Sequence, residues 1–496
     1  MSHTDPETLR TQADVLLRQL AAKESRLSPK ERLAIPPQLM PEQDPIERGR
    51  NFSEVALGYG EAQARVEAMR CLQCRNQPCI EGCPVRLNIS GFVGAIAAGD
   101  YRKAIDIIKQ DSLLPAICGR VCPQETQCQE PCTLGKALKD PSKAVSIGRL
   151  ERFVADWERA QGIQVPSVKP DSGRRVAVVG SGPASLVVAA DVRREGHAVT
   201  ILEAFHRPGG VMIYGIPEFR LPKKIVQNEI DTLTAMGVEI RPNFVVGRTR
   251  RLQDLLDQDG YSAVFIGTGA GLPKFMGIPG EEYVGVFSAN EYLTRVNLMK
   301  AYLKEAGTPV LPAKHVAVIG GGNVAMDSAR TALRLGAEQV SIIYRRTEAE
   351  MPARVEEVGH AKEEGIEFRL LQNPTRIFGD TYGRVTAIEC LKYELGEPDD
   401  SGRRRPVPIK GSEFRLEVDC VIVAIGNGSN PLLTSTAPDL KLSKWGNILV
   451  DEGGKTSMDR VYAGGDIVLG AATVILAMGQ GRSAAASINR RLAAQA

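Results

Sequence analysis

Residues 174–204, RRVAVVGSGPASLVVAADVRREGHAVTILEA, decide the fold. An apolar run, a glycine turn, a helical pattern and a second apolar run predict a β-strand, a helix and a parallel β-strand. Gly180 permits the tight turn, and Gly182 lets the backbone approach a pyrophosphate at the helix N-terminus. Ser185 replaces the usual Gly or Ala at the helix packing position, and Glu203 can accept hydrogen bonds from ribose hydroxyls. These four residues are candidate nucleotide contacts; the alternative is a glycine-rich turn in an unrelated α/β protein.

Residues 314–346, KHVAVIGGGNVAMDSARTALRLGAEQVSIIYRR, repeat this pattern and predict a second nucleotide-binding unit. The candidate contacts in its glycine loop are Gly320, Gly322 and Asn323. Its second strand ends in Arg345 and Arg346, where an acid would have favoured a free 2′-hydroxyl. Because guanidinium groups bind a 2′-phosphate through charge-assisted contacts, the pair favours NADP(H) over NAD(H). The alternative is a solvated basic pair, and Arg354 is a further candidate for the phosphate.

Two later glycine clusters indicate a flavin in the first unit. Gly209 and Gly210 follow the first βαβ pattern, and Gly464, Gly465 and Asp466 lie near the C-terminus. A flavin needs a partner for its ribityl chain beyond the first βαβ unit, and Asp466 can provide it. The helix that follows would direct its positive N-terminus towards the flavin ring. We therefore assign Gly210, Gly465 and Asp466 to FAD, the alternative for Asp466 being a turn or helix cap.

Eight of the ten cysteines lie between Cys71 and Cys132. They form two runs, Cys71-x2-Cys74-x4-Cys79-x3-Cys83-Pro84 and Cys118-x3-Cys122-Pro123 followed by Cys128-x3-Cys132. Thiolates are soft ligands that suit iron–sulfur clusters or zinc, and a Cys before Pro is typical of two-cluster ferredoxin runs. Structural zinc and a disulfide framework are the alternatives. Cys390 and Cys420 stand in or beside apolar runs and are interpreted as core residues.

Composition excludes several classes of protein. The 496 residues are 43% hydrophobic and 24% charged, and 62 basic against 59 acidic residues leave a net charge of only +3. Neither nucleic acid nor an anionic membrane is indicated by so weak a charge. No apolar run approaches the roughly 20 residues of a membrane helix, and the polar N-terminus lacks a signal core. A cytoplasmic protein is therefore expected.

With these residues in view, the chain resembles the small (beta) subunit family of glutamate synthase. It is also similar to the N-terminal half of dihydropyrimidine dehydrogenase and to the flavoprotein subunit of bifurcating ferredoxin–NADP oxidoreductase. The resemblance covers nearly the whole chain and is carried by seven segments: RCLQCRNQPCIEGCP, LPAICGRVCPQETQC, AVSIGRLERF, GIPEFRLPK, GGGNVAMDSARTA, YRRTEAEMPAR and YAGGDIVLGAATVILA.

The resemblance implies an α/β fold with two Rossmann-like nucleotide-binding domains preceded by a mostly helical two-cluster iron–sulfur domain. The expected domains are an iron–sulfur domain at 1–165, an FAD-binding domain at 170–290 and 425–496, and an NAD(P)H-binding domain inserted at 291–424.

The resemblance also implies ligands for two 4Fe–4S clusters. The first set is Cys71, Cys74, Cys79 and Cys132. The second is Cys83, Cys122 and Cys128 with one ligand that is not Cys, for which Glu151 in AVSIGRLERF is the candidate. Cys118 as the eighth ligand, with Glu151 a solvated helix residue, is the alternative.

The expected function is electron transfer between NADPH, FAD and two 4Fe–4S clusters to a larger partner subunit, most like the glutamate synthase small subunit. The cofactors carry the chemistry, so no catalytic side chain is assigned. A subunit of a ferredoxin–NADP, sulfide or 2-oxoacid oxidoreductase is the alternative, and a hetero-oligomer is expected in each case. A non-catalytic scaffold with vestigial nucleotide folds is disfavoured by the intact glycine loops and cysteine runs.

Overall fold

The computed structural model describes residues 4–23, 26–399 and 402–494. A helical N-terminal region precedes two parallel sheets, each flanked by helices, so the expected fold class is confirmed. Among the helices of the described ranges, none combines the length and apolarity needed to cross a bilayer.

The N-terminal region is built from short helices that pack around one apolar core. Its longest helices, α1, α7 and α10, carry apolar residues on one face, as surface helices of a globular domain do. In the described part of residues 1–165 the helices are α1 (Pro6–Ala21), α2 (Pro29–Ala34), α3 (Pro45–Arg48), α4 (Glu61–Met69), α5 (Pro78–Glu81), α6 (Ile89–Ala98), α7 (Tyr101–Asp111), α8 (Pro115–Val121), α9 (Thr133–Ala137) and α10 (Ile147–Gln161).

The first sheet has the strand order β16-β4-β1-β2-β3, with every pair parallel. Its strands are β1 (Arg175–Val179), β2 (Ala198–Leu202), β3 (Glu239–Arg241), β4 (Ala263–Ile266) and β16 (Val461–Ala463). Its helices are α11 (Pro183–Arg194), α12 (Val211–Tyr214), α13 (Lys223–Ala235), α14 (Leu252–Asp257), α18 (Pro431–Thr434), α19 (Asp466–Leu469) and α20 (Val474–Ala493). Because helices cover both faces of such a sheet, its central strands β1 and β4 are buried along almost their whole length.

The second sheet has the order β6-β14-β7-β8-β9 and is also parallel. Its strands are β6 (Val286–Ser288), β7 (His315–Ile319), β8 (Gln339–Tyr344), β9 (Glu367–Leu370) and β14 (Cys420–Val423), and its helices are α15 (Ala289–Asn297), α16 (Asn323–Arg334) and α17 (Val355–Glu363). An antiparallel sheet precedes β14 and is formed by β10 (Gln372–Gly379), β11 (Val385–Pro398), β12 (Arg404–Pro408) and β13 (Phe414–Glu417).

Two short antiparallel strands, β5 (Leu272–Pro273) and β15 (Asn427–Gly428), pair between the two sheets. The second sheet lies between them in the chain, and its first strand is β6 at 286–288. The second sheet therefore includes residues 286–288, which precede the expected start of the inserted domain at residue 291. Three residues of β6 are too few to show a strand pattern, and their pairing with β14 is a contact over more than 130 positions.

Helix α20 joins the first sheet to the helical region. It crosses α11 so closely that a Cβ on Gly481 would lie 2.5 Å from the carbonyl oxygen of Ala184. Its buried Met478 belongs to the same apolar core as Ile117 of α8 and Leu150 of α10. Burying a side chain of this size stabilises a fold by about 1.5–3 kcal/mol, so the helical region and the first sheet are held together by shared packing.

Candidate functional site

Four cysteines of the helical region face one cavity. Its lining includes Cys71, Cys74, Cys79 and Cys132, with apolar walls from Leu72, Ile89, Val93, Leu134, Val145 and Ile147. The buried Arg70 guanidinium fixes the backbone immediately before Cys71, because it donates to the carbonyl oxygens of Lys143 at 2.6 Å and Ala144 at 3.2 Å. We call Cys71, Cys74, Cys79 and Cys132 the first Cys group.

The chemistry of the first Cys group fits an iron–sulfur cluster. Burial and the neighbouring thiols raise the pKa of Cys71, and they raise that of Cys79 to about 12. Thiols crowded into an apolar cavity need a metal to be held as thiolates. Within the described residues, no three His, Cys, Asp or Glu side chains are close enough to hold a single metal ion. The ligands of a four-iron cluster bind separate irons, so they need not meet at one point.

A second Cys group surrounds Glu151. Burial first, and then the charges of Glu151 and Cys122, raise the pKa of Cys83 to about 11. The pKa of Cys128 is likewise raised by burial and by Cys83, Cys122 and Glu151, so the four side chains lie within electrostatic reach of one another, with Cys128 half-buried and the other three buried. We call Cys83, Cys122, Cys128 and Glu151 the second Cys group. Cys79 also raises the pKa of Cys128, which places the two groups side by side.

Glu151 is the unusual member, because its carboxyl group is buried and has no cationic partner among the residues that the structure describes. Its side chain lies on α10, the residue is 6% exposed, and burial alone raises its pKa to about 8. Cys118 also lies beside this group, but its thiol is 3.5 Å from the sulfur of Met478. A hydrogen bond with Cys122 and burial raise the pKa of Cys118. The structure thus brings both candidates for the eighth ligand to one place.

The first glycine loop has the geometry that a pyrophosphate requires. Gly180 has φ +92°, and a Cβ there would lie 2.6 Å from the carbonyl oxygen of Gly267. Gly182 is the N-cap of α11 at φ −71°, and a Cβ there would meet nothing within 4 Å. The first glycine is therefore required by the fold, whereas the second keeps space free in front of the helix N-terminus, as a bound phosphate needs.

Ser181, which the sequence pattern did not single out, connects three parts of this site. Its hydroxyl donates to Glu203, and it accepts the backbone N–H of Gly209 at 2.8 Å. Glu203 is 5% exposed, accepts the Phe205 N–H at 2.7 Å, and has its pKa raised by burial. A serine between two glycines is common in loops of many kinds, so only the tertiary contacts reveal this role. Glu203 is thereby oriented at the end of β2.

The later glycine clusters lie against the same loop. A Cβ on Gly210 would be 2.7 Å from the Cα of Gly182, and one on Gly465 would be 3.1 Å from the Cβ of Ala184. Asp466 begins α19 and accepts the Ala472 N–H at 3.3 Å, and burial raises its pKa to about 6. Residues that are far apart in sequence therefore surround the space in front of α11.

Ser185 points away from that space. It is fully buried in α11, and its hydroxyl donates to the carbonyl oxygen of Gly267 at 3.5 Å, at the end of β4. Its observed contact is with the sheet, where a small residue allows close helix packing.

The second glycine loop repeats this arrangement. Gly320 has φ +143°, and a Cβ there would lie 2.3 Å from the carbonyl oxygen of Ala424. Gly322 is the N-cap of α16, and the nearest atom to a Cβ there would be 3.9 Å away. Asn323 begins the helix, and its side-chain oxygen accepts the Arg354 N–H at 3.0 Å. This loop too has space in front of a helix N-terminus.

The three arginines assigned to a 2′-phosphate have different surroundings. Arg345 is exposed at the end of β8. Arg346 is 4% exposed, forms an ion pair with Asp399, and donates to the carbonyl oxygen of Arg404 at 2.7 Å. Arg354 is 6% exposed, and its guanidinium points into the helical region, where it donates to the Arg120 carbonyl oxygen at 3.0 Å. Hydrogen bonds thus hold the Arg354 side chain in the helical region, and Arg346 is held by Asp399 and the Arg404 carbonyl, so Arg345 is the exposed member of the three.

Comparison with known families agrees with the division of the chain into a helical region and two parallel sheets. The family described as dihydropyrimidine dehydrogenase domain II, 4Fe–4S cluster, matches residues 48–163. The family described as pyridine nucleotide-disulphide oxidoreductase matches residues 174–481. The helical region and the two sheets therefore correspond to two known modules.

Two relatives from different enzymes match most of this chain. The glutamate synthase [NADPH] small chain of Azospirillum brasilense is 37% identical over 469 residues, 92% of this chain and 95% of that protein. The NADP(+)-dependent formate dehydrogenase subunit beta of Moorella thermoacetica is 40% identical over 440 residues, 84% of this chain but only 60% of that protein.

A solved structure supports the fold of the two sheets. FprA from Mycobacterium tuberculosis in complex with NADPH has a TM-score of 0.55 at 20% identity and covers 66% of this chain and 85% of its own. At this identity the likeness concerns the fold alone. The sequence relationships go further. In this chain a 4Fe–4S domain is followed by a pyridine nucleotide-disulphide oxidoreductase domain, and the chain belongs to the glutamate synthase small-chain family of oxidoreductases.

Proposed function

We propose that the chain is the electron-transfer subunit of a larger enzyme, in which NADPH, one FAD and two 4Fe–4S clusters connect to an acceptor on a partner. The observation that carries this proposal is the position of the two Cys groups, which extend from the first sheet to the surface of the helical region. When bound, FAD supplies the conversion of a hydride into single electrons, which the clusters can carry.

The second Cys group adjoins the FAD-type sheet. Cys118 contacts Met478 of α20 at 3.5 Å, and a Cβ on Gly479 would lie 3.0 Å from the carbonyl oxygen of Pro84, next to Cys83. Helix α20 in turn packs on α11, whose N-terminus faces the proposed flavin site. A cluster held here would therefore be the nearer one to FAD.

The first Cys group lies closer to solvent. Three of its four cysteines, Cys71, Cys74 and Cys79, are half-buried, whereas Cys128 is the single half-buried cysteine of the second group. Electron transfer to another protein needs a centre near the surface, so we place the partner over the first Cys group. The direction of flow would reverse if a low-potential donor docked at the same place.

The chain's own residues would bind and orient the cofactors. Gly182 and Gly322 leave room for two pyrophosphates, Glu203 is oriented to accept from a ribose, and Asp466 faces the same site as a ribityl partner. Arg345 and Arg346 would favour NADPH, with Arg346 also holding β12 through the carbonyl oxygen of Arg404.

The large subunit of a glutamate synthase is our first choice of partner, because the match to a small chain extends over 95% of that relative. A formate dehydrogenase or another NADPH-linked oxidoreductase is the second choice, favoured by the 40% identity to the formate dehydrogenase subunit.

Anaerobic purification tests the cofactor content. We expect one FAD, about eight irons and acid-labile sulfide per chain. Cys71→Ser should remove one cluster, whereas Cys390→Ser is a matched control, because Cys390 is fully buried in β11 outside both groups. Zinc without labile sulfide, or equal iron loss in the two variants, would contradict the proposal.

A reconstitution experiment tests the partner. The chain is mixed with candidate partners from its native cell, and NADPH oxidation is followed with glutamine and 2-oxoglutarate, with formate, or with ferredoxin present. Turnover that requires glutamine and 2-oxoglutarate would support the glutamate synthase assignment. Turnover only with formate or ferredoxin would instead support a formate dehydrogenase or another NADPH-linked oxidoreductase as the partner.

A further inference from the structure

Arg354 lies between the second glycine loop and the second Cys group. It is the N-cap residue of α17, it is 6% exposed, and its backbone and side chain face opposite directions. A long charged side chain is rarely buried unless it is paired. Its contacts therefore describe a connection between the nucleotide domain and the iron–sulfur domain.

The backbone at Arg354 is bound to the glycine loop. Its N–H donates to the side-chain oxygen of Asn323 at 3.0 Å. The preceding N–H, of Ala353, donates to the carbonyl oxygen of Gly321 at 3.2 Å. Residues 353 and 354 are therefore bound directly to the N-terminus of α16 and to the loop before it.

The side chain of Arg354 is bound to the cysteine-bearing segment. It donates to the carbonyl oxygen of Arg120 at 3.0 Å and to the side-chain oxygen of Gln124 at 3.3 Å. The Gln124 amide in turn donates to the carbonyl oxygen of Cys118 at 3.3 Å. These carbonyls belong to α8, which ends immediately before Cys122, so the guanidinium balances the negative end of that helix.

The side chains of Gln124 and Arg354 are held in place by the elements around them. A Cβ on Gly148 would lie 2.2 Å from the Gln124 amide nitrogen, so α10 presses directly on that side chain. Arg354 also donates to Glu356 at 2.8 Å, and Arg149 of α10 donates to the same carboxylate at 3.3 Å. Burial alone would raise the pKa of Glu356, but Arg354 and Arg149 hold it well below its usual range. The connection is thus rigid and charged.

We propose that Arg354 is a positioning residue that couples nucleotide binding at the second glycine loop to the reduction potential of the cluster in the second Cys group. The inference rests on the proposed function, because it requires both a nucleotide and a cluster. The potential of a cluster depends on the peptide dipoles and hydrogen bonds around its ligands. Because the connection is already rigid, a movement of Asn323 or of the Gly321 carbonyl on nucleotide binding would be transmitted through Arg354 and Gln124 to the carbonyl oxygens of Arg120 and Cys118.

Thermodynamic linkage makes the coupling reciprocal. If NADP+ shifts the midpoint potential of this cluster, reduction of the cluster must change the affinity for NADP+ by the same factor. A threefold to tenfold effect corresponds to about 28–59 mV for a one-electron couple.

The test is a redox titration of the holoprotein followed by low-temperature EPR, with and without saturating NADP+. Wild type should show a nucleotide-dependent shift of one cluster, and its NADP+ Kd should differ between oxidised and reduced protein by the matching factor. Arg354→Ala should bind NADP+ and abolish the shift. Arg354→Lys keeps the charge but can reach fewer acceptors, so it should show a smaller shift, and it replaces the alanine variant if that one does not fold.

Arg149→Gln is the matched control. It removes another ion pair to Glu356, but Arg149 makes no bond to the glycine loop, so the NADP+-dependent shift should persist. The proposal is overturned if wild type shows no shift, if both Arg354 variants keep the full shift, or if Arg149→Gln abolishes it equally. Failure of the proposed function is distinct, because wild type would then lack iron or would not bind NADP+.

Discussion

The Cys118 thiol donates a hydrogen bond to the sulfur of Met478 across 3.5 Å, joining α8 of the iron–sulfur domain to α20 of the FAD-type domain. Both residues are essentially inaccessible to solvent, so this contact belongs to the packing between the two domains. Glu151, by contrast, is buried with no cation beside it in the described part of the chain, and burial alone raises its pKa. Because the Cys118 thiol already has two sulfur partners, Met478 and Cys122, we expect Glu151 and not Cys118 to be the eighth cluster ligand.

Cys118→Ser should therefore keep both clusters, whereas Cys128→Ser should lose one. Glu151→Ala should loosen or convert the second cluster, because a carboxylate that can bind iron is removed. Glu151→Cys should retain the cluster at a shifted potential. Iron content and low-temperature EPR of the four variants measure these outcomes. A cluster lost in Cys118→Ser but kept in Glu151→Ala would identify Cys118 as the eighth ligand.

Alanine at the second glycine of each loop should separate binding from folding. Gly182→Ala and Gly322→Ala add a methyl group where the protein has no atom nearer than 3.9 Å, so unfolding free energies without nucleotide should change by less than about 1 kcal/mol. The methyl group fills the space of a pyrophosphate. We expect Gly182→Ala to lose FAD, and Gly322→Ala to keep FAD but bind NADPH at least about tenfold more weakly.

Gly180→Ala is the contrasting variant for Gly182→Ala and Gly322→Ala. Its φ of +92° and a Cβ only 2.6 Å from the Gly267 carbonyl oxygen predict a folding defect instead of a selective binding defect. Flavin absorbance, NADPH titration and thermal unfolding distinguish the cases. Normal FAD content in Gly182→Ala would place the flavin elsewhere.

Replacing Arg345 and Arg346 by Ala should weaken NADPH selectively. A charge-assisted hydrogen bond contributes about 1.5–3 kcal/mol, so KM for NADPH should rise about 10- to 100-fold while KM for NADH changes little. The single Arg346→Ala variant should also lower Tm, because its side chain holds Asp399 and the Arg404 carbonyl oxygen. Steady-state kinetics with both nucleotides measures the preference.

Lys314→Ala is the control for that series. Lys314 is an exposed cation that precedes β7, at the opposite end of the second sheet, and is paired with Glu338. It should leave both KM values unchanged. An equal loss of NADH and NADPH in the arginine variants would refute the 2′-phosphate role.

The carboxyl group of Asp466 should make stability depend on pH. Burial raises its pKa to about 6, above the value near 3.9 of an unfolded aspartate, so the folded state favours the protonated form. Its contribution to stability is therefore full below about pH 4 and is lost as the pH rises through 6. Asp466→Asn should be more stable than wild type by roughly 1–3 kcal/mol at pH 7.5 in the flavin-depleted protein.

The same variant should bind FAD more weakly, because an amide accepts a hydrogen bond from a ribityl hydroxyl less strongly than a carboxylate does. Thermal unfolding at pH 5, 6, 7 and 8, with and without FAD, measures both effects. A stability difference that does not grow between pH 5 and 7 would show that Asp466 is not the titrating group. Unchanged FAD affinity would remove it from the flavin site.

The sequence by itself determined the local units. Each βαβ unit spans about thirty residues, and its glycines are dictated by a turn and a close approach within that span, so Gly180 and Gly320 could be identified without a structure. The same holds for the basic pair Arg345 and Arg346 at a strand end. The two Cys runs predicted soft-metal ligands because spacing within a run is also a local property.

Only the tertiary structure decided which distant residues meet. Ser181 orients Glu203, Cys118 meets Met478, and the Arg354 side chain donates to the Arg120 carbonyl oxygen in the helical region. The unpaired burial of Glu151 is likewise invisible in a helical pattern that a solvated residue would share. The physical reason is range: turns, caps and periodicity act over a few residues, whereas burial, ion pairing and pKa depend on every element packed around a group.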